Sequence, residues 1–261
     1  MKIDVYQKKK QQITIISILL IVIVFAFSSM TQFDWAHSIR SIPEAVNWIV
    51  THLFITQQAM TKMPLIIDKL IETIFLSITS TMTASIVALF LALCGSQTTR
   101  VHPLLSTMSR LIASFFRNIP VVAWALILLL SFGQHVLTGY LALFLATLGF
   151  LTRVFTETID EKSTDSVEAL KATGATYFQV VTNAVIPNSS PQMISWILFM
   201  IETNIRSSTL VGILTGTGIG FTFDIYYKSM NYDVVALITL SIVVVVIGIE
   251  VISNYIRRII L

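Results

Sequence analysis

Long stretches of this chain contain no Asp, Glu, Lys or Arg, among them Ile13 to Met30, Thr73 to Thr99 and Asn118 to Thr152. Few folds tolerate such runs. A hydrocarbon layer about 30 Å thick is crossed by roughly 20 apolar residues in a helix, and runs of this kind are read as membrane spans. The first run follows Lys8, Lys9 and Lys10. Ala26, Phe27 and Ser28 would pass as a signal-cleavage site, but the run exceeds the roughly 7–15 residues of a signal-peptide core, so it is taken as span one. Thr73 to Thr99, between Glu72 and Arg100, holds span two. As one helix the third run would be about 52 Å long at 1.5 Å per residue, too much for one crossing. Gly133, Gln134 and His135, followed by Thr138 and Gly139, are turn-prone and divide it into spans three and four. A fifth span is expected from Pro191 through Trp196 and Phe199 to Asn204, and a sixth over Val234 to Ile252. The expected fold is all-α: a polytopic membrane bundle of six transmembrane helices.

Charge placement orients the bundle. With the N-terminus in the cytoplasm, segments 1–12, 95–117, 153–190 and 253–261 lie inside. They hold Lys2, Lys8, Lys9, Lys10, Arg100, Arg110, Arg117, Arg153, Lys162, Lys171, Arg257 and Arg258, twelve of the seventeen basic residues. Arg40, Lys62, Lys69 and Lys228 lie outside, and Arg206 sits near membrane depth. This bias places both termini in the cytoplasm of a multi-pass cell-membrane protein. Charged residues make up only 12% of the chain against about 25% in a soluble domain. The net charge of +3 is not gathered into a patch, which argues against nucleic-acid binding. The single cysteine, Cys94, excludes an intrachain disulfide and stands in an apolar run as a small hydrophobe. No Cys/His metal set exists.

Two segments read as interfacial. Apolar residues recur at 104, 108, 111, 112, 115 and 116, the spacing of an amphipathic helix on the inner surface. The outer segment 41–70 carries Trp48, Ile49, Leu53 and Phe54. Residues 1–64 are expected as an N-terminal span with an extracytoplasmic segment, and 65–261 as the core. Within the core, the inner loop at about 157–190 has its own signals. Asp165 and Glu168 have capping-box spacing. A short helix is expected from Ser166 to Thr173, ended by Gly174, which accepts the left-handed conformation. A second short helix would run from Thr176 to Val185, with Pro187 at the next joint. Tyr177 and Phe178 would anchor a soluble partner on this surface, although a solvated connector would need the same caps.

Inside the membrane, Glu202 and Arg206 are four apart and can pair on one helix face. Such ions usually face water or a partner, and a structural pair would satisfy the same geometry. Asn204 can hydrogen-bond another helix. Arg117 and Pro120 read as the entry to span three, with Arg117 at an inner gate as the functional alternative. Trp124 lies too deep for an interfacial belt residue. Gly212 to Gly220 reads as irregular backbone that protein or water must cover.

Glu168, Ala169, Gly174, Ile186 and Pro187 fit Glu-Ala-x(4)-Gly-x(11)-Ile-Pro, which resembles the EAA loop of ABC importer permeases, with Leu170 in place of a second Ala. Three further stretches resemble the phosphonate-transport permeases: Leu70 to Thr73, Arg117 to Leu126, and Glu202 to Gly212 followed by Gly216, Gly218, Ile219 and Gly220. Thr215 and Thr217 depart from the small residues expected there. The resemblance covers roughly residues 65–255. It implies a type I importer permease fold. It also implies a homodimer with a cytoplasmic ABC ATPase pair and an extracytoplasmic substrate-binding protein, importing phosphonates or related phosphorus oxyanions. The chain itself would bind no cofactor and would not be an enzyme; ATP would be bound by the partner subunits. Glu168, Ala169, Gly174, Ala175, Tyr177, Phe178 and Pro187 would couple to the ATPase. Glu202, Asn204, Arg206, Arg117 and Trp124 would face the path, Arg206 favouring an anion. The alternative is an ion-coupled secondary carrier of a small anion. An intramembrane enzyme built on His52 or His135 lacks a convergent set of groups around either histidine.

Overall fold

The computed structural model describes residues 2–260; the side chains of residues 1–6, the charge of Lys2 included, and Leu261 lie outside the described set. Two units are described separately, 1–53 and 54–261. In the first, α1 (Lys2–Met30) contains the first span, and α2 (Trp35–His52) follows a short turn. The Asp34 carboxylate caps α2 by accepting from the His37 N–H. Trp35 Nε1 donates to Ser28 Oγ at 2.9 Å, pinning the turn to α1. Trp35, Ile39, Ile42, Val46 and Ile49 form one apolar stripe along α2, the pattern of a helix lying in an interface.

The second unit contains α3 (Gln57–Met60), α4 (Met63–Gly95), α5 (Pro103–Asn118), α6 (Val121–Phe132) and α7 (Val136–Ala172). After a turn come α8 (Tyr177–Val180), a π-helical segment Val181–Val185 and α9 (Ile186–Thr215); α10 (Gly218–Lys228) and α11 (Tyr232–Ile260) complete it. Among the described residues, five helical runs are long and apolar enough to cross a membrane, and α5 with α6, bent by 90°, makes a sixth candidate. The division of Asn118 to Thr152 differs from the expectation of two short spans. The first piece, α6, has 12 residues, about 18 Å of helix. The second, α7, does not stop at Thr152 but continues 20 residues further to Ala172, 37 residues in all.

The core follows the logic of membrane packing, in which small residues let helix backbones approach. From Ser77 onward the buried face of α4 is Ser77, Ser80, Thr81, Ala84, Ser85, Ala88, Ala92 and Gly95, after a start that buries the larger Ile66, Leu70 and Leu76. Against it α7 sets Leu148, Leu151, Phe155 and Ile159. The α5 helix lies as the amphipathic spacing requires, with the opposite polarity to a soluble protein. It buries Ser106, Ser109 and Ala113 and exposes Leu104, Leu105, Met108, Leu111 and Phe115. Gly149 lets α7 approach the end of α5 closely: a Cβ there would collide with the Arg117 backbone nitrogen.

The fifth span begins earlier than Pro191: α9 starts at Ile186, with Pro187 in its first turn as expected, and Pro191 lies inside the helix. Proline removes an amide donor and crowds the carbonyl four residues earlier. The π segment answers this locally: its wider turn pairs Ile186 N–H with Val181 O, five residues back, just before the proline.

Candidate functional site: an inner turn and an intramembrane polar cluster

The inner site is the turn between α7 and α8. The Asp165–Glu168 capping box does not form, because α7 passes through both residues unbroken. Their carboxylates lie on an already continuous helix, whose exposed face needs the same polar residues as a helix start. Gly174 does end the helix, with φ +82°. Its N–H reaches Lys171 O at 3.0 Å, and Ala175 N–H reaches Leu170 O at 3.2 Å. The capping box stands instead at Thr176 and Gln179, whose side chain accepts from Thr176 N–H at 2.8 Å.

Beyond that box, Tyr177 is 47% and Phe178 75% exposed. Glu168, Ala169, Gly174 and Pro187 are exposed as well, and Ala175 is half-buried. Behind them Val167, Val180, Val181, Ala184 and Val185 are buried. The turn thus has an apolar back held by the bundle and a front carrying two aromatic rings.

Polar contacts fix the turn to its neighbours. Ser163 Oγ meets Ser189 Oγ at 2.9 Å, and Asn188 Nδ2 donates to Ser166 Oγ at 2.9 Å, locking α7 to α9. Asp160 receives Ser96 Oγ at 2.5 Å, Thr98 Oγ1 at 3.1 Å and Thr98 N–H at 3.2 Å, and Lys171 Nζ donates to Thr98 O at 3.0 Å. Those bonds lock α7 to the end of α4. Arg110 Nη2 also lies 3.9 Å from Asp160 Oδ2. Sequence reading missed Asp160, because its partners on Ser96, Thr98 and Arg110 are far away in the chain.

The second site lies along α9. Asn204 Nδ2 donates to Thr81 Oγ1 at 2.8 Å and to Thr147 Oγ1 at 2.7 Å, so one buried amide joins α9, α4 and α7. Glu202 and Arg206 pair at 3.1 Å, as four-residue spacing expects. The carboxylate is buried, whereas the guanidinium is 51% exposed. A third member comes from the far end of α11. Arg257 Nη2 lies 3.5 Å from the other Glu202 oxygen, although counting charges by side assigns Arg257 to the inner aqueous flank.

Neither Arg117 nor Trp124 joins this cluster through a hydrogen bond or ion pair among the described residues. Arg117 is exposed at the end of α5. Trp124 is buried, its ring against Phe115 and Phe116 and its Nε1 donating to Phe116 O at 3.5 Å. His135 is a helix cap: its Nδ1 accepts from Leu137 N–H at 3.1 Å.

Two stretches that stand 146 residues apart meet at the other end of the bundle. Glu72 Oε1 accepts from Gly218 N–H at 3.2 Å, Thr73 Oγ1 accepts from Ile219 N–H at 2.9 Å, and Glu72 Oε2 pairs with Lys69 at 2.7 Å. The start of α10 is therefore occupied by the chain's own carboxylate and hydroxyl. Thr215 and Thr217, the departures from small residues, bond each other at 3.0 Å and fill the space opposite Gly139.

Residues 84–261 match the family described as binding-protein-dependent transport system inner membrane component. The chain is 33% identical over 192 residues to a phosphite transport system permease protein of Stutzerimonas stutzeri, covering 74% of this chain and 70% of that protein. It is 31% identical over 191 residues to a phosphate-import permease protein of Mycolicibacterium smegmatis. That match covers 73% of this chain but only 36% of the mycobacterial protein's length. Among solved structures, inward-facing forms of the MetNI methionine ABC transporter match with a TM-score of 0.69 at 20% identity, covering 77% of this chain and 98% of the matched one. At that identity the likeness is one of fold.

Proposed function

We propose a function from one premise: this chain belongs to the family of binding-protein-dependent transport system inner membrane components. It is the membrane-spanning permease of an ABC importer, and its role is not catalytic: ATP is hydrolysed by a partner ATPase. Family membership sets aside the ion-coupled carrier.

The observation that carries the coupling role is the inner turn, where Tyr177 and Phe178 are exposed on a support tied to both α4 and α9. Glu168, Ala169, Gly174, Ala175 and Pro187 complete the surface. The ATPase seats this turn in a cleft, with the two aromatic rings as anchors. The ties from α7 to α4 and α9 convert displacement of the turn into displacement of the spans. Nucleotide acts through its differential affinity for the closed ATPase pair, which shifts the bundle between inward- and outward-facing states. The turn and both termini face the cytoplasm, and residues 65–261 form the working core.

The cargo is a phosphonate, phosphite or related phosphorus oxyanion, delivered by an extracytoplasmic binding protein. Two features support this reading: the functions of the phosphite and phosphate relatives, and the exposed Arg206 guanidinium on an apolar helix long enough to cross a membrane. A charge there is costly unless it faces water or a partner. A second copy of the chain encloses that water, so that Arg206, Glu202 and Asn204 look onto a path between two permeases. Arg117 and Trp124 lie on its inner side.

Reconstitution of the permease with its ATPase and binding protein in proteoliposomes tests the assignment. Uptake of phosphite or methylphosphonate should require ATP on the ATPase side and persist after ion gradients are collapsed. Uptake of methionine with none of any phosphorus oxyanion would contradict the cargo; uptake driven by a gradient without ATP would contradict the mechanism.

A further inference from the structure

Glu202 is one acid between two bases. Its Oε1 faces Arg206 at 3.1 Å and its Oε2 faces Arg257 at 3.5 Å. One negative and two positive groups leave a net charge of +1. Each guanidinium carries five N–H donors in a planar fork, and Glu202 engages a single Nη of each. Arg257 Nε is buried and lacks a hydrogen-bond partner. Burying a donor unpaired is costly, as is leaving an uncompensated charge inside a membrane. A single carboxylate would have been neutralised by Arg206 alone. The second arginine is therefore in excess of what structural pairing needs.

We propose that Glu202, Arg206 and Arg257 form one oxyanion site, with Arg257 as a cargo-contacting residue. This rests on the permease reading and deepens it by naming the groups that take the ligand. A guanidinium fork suits a phosphorus oxyanion, the ligand class for which arginine is favoured over lysine. Glu202 has two tasks. It holds both guanidiniums in place, and its negative charge keeps the site from binding so tightly that the ion cannot leave, a condition any conducting path must meet.

The test uses the reconstituted importer with its ATPase and binding protein, and phosphite as the probe. Arg257→Lys keeps the charge opposite Glu202 but loses the fork; it should raise the KM for phosphite several-fold, while ATPase co-purification is unchanged. Arg257→Gln should cut uptake by about tenfold. The double variant Glu202→Gln/Arg257→Gln separates a binding role from a purely structural one. A mere counter-ion pair, removed from both sides, should recover wild-type uptake; an oxyanion site should stay impaired. Recovery in the double variant, or a wild-type KM in Arg257→Lys, overturns the proposal.

Phosphorus oxyanions also occur on lipid headgroups, so each variant is compared in vesicles of phosphatidylcholine with and without phosphatidylglycerol. Soluble cargo predicts the same defect in both; a defect confined to the anionic lipid would assign the site to a headgroup instead. Wild-type protein that takes up no phosphorus oxyanion sinks the cargo reading and this inference together. Wild-type uptake with an undiminished Arg257→Gln variant sinks only the inference.

Discussion

The chain reverses direction at two glycine turns that look alike in sequence and differ in their surroundings. At one end, Gly174 (φ +82°) joins α7 to α8; at the other, Gly216 (φ +72°) and Gly218 (φ +60°) join α9 to α10. All need the left-handed region that glycine enters without steric cost. A Cβ at Gly174 would meet nothing within 4 Å. A Cβ at Gly218 would strike Thr73 Oγ1, and one at Gly216 would press on the Gln134 side chain at 3.3 Å. The Gly216–Gly218 turn is closed by the chain itself, through Glu72 and Thr73. The Gly174 turn is fixed from behind and open in front. The Gly216–Gly218 turn is satisfied internally, whereas the Gly174 turn is ordered and displays exposed aromatics, the surface on which the proposed docking rests.

The sharpest way to break this contrast is to add a methyl group at each turn. Gly218→Ala forces a side chain into the left-handed region and displaces the Thr73 hydroxyl that serves Ile219. Strain and overpacking together should cost about 2–4 kcal/mol, read as a lowered thermal midpoint in detergent and poor recovery from the membrane. If Gly218→Ala is as stable as wild type, the turn is not closed as described. At Gly174 the expected damage is to function. Gly174→Val strains only an exposed turn, roughly 1–3 kcal/mol locally, and should leave the spans inserted and ATP hydrolysis intact while uptake per ATP falls. Gly174→Asn, which tolerates the left-handed region, should retain most coupling. Equal uptake per ATP in Gly174→Val and wild type would show that the shape of this turn does not carry force.

What could be read in advance follows the range of the interactions. Glu202 and Arg206 are on one helix, and a separation of four fixed their pairing. Gly174 as a helix end was legible for the same local reason, as was the amphipathic α5. The errors arose where local signals have two meanings. Asp165 and Glu168 suit a helix start, and equally the solvated flank of a long helix, which is what α7 provides. Pro191 suits a helix start, and equally the interior of a helix that began one turn earlier, at Ile186 with Pro187 in its first turn. For long-range contacts the sequence named at most one side: Asn204 as a bond to another helix, with its partners unidentified. Arg257 lies 55 residues from Glu202, and Asn204 finds Thr81 at 123 residues and Thr147 at 57. A threonine on a small-residue helix face looks the same whether it packs or bonds. Leu70 to Thr73 and Gly216 to Gly220 drew attention separately, and only the fold shows that they are two sides of one contact.

The central claim is that the Gly174 turn is a cytoplasmic docking surface. A single cysteine at Phe178, in a chain whose native Cys94 is replaced by serine, tests it directly. A membrane-impermeant maleimide should label that cysteine in inside-out vesicles stripped of the ATPase. Rebinding the ATPase should protect it. Labelling from the outer face of intact cells, or labelling that the bound ATPase leaves unchanged, would contradict the account.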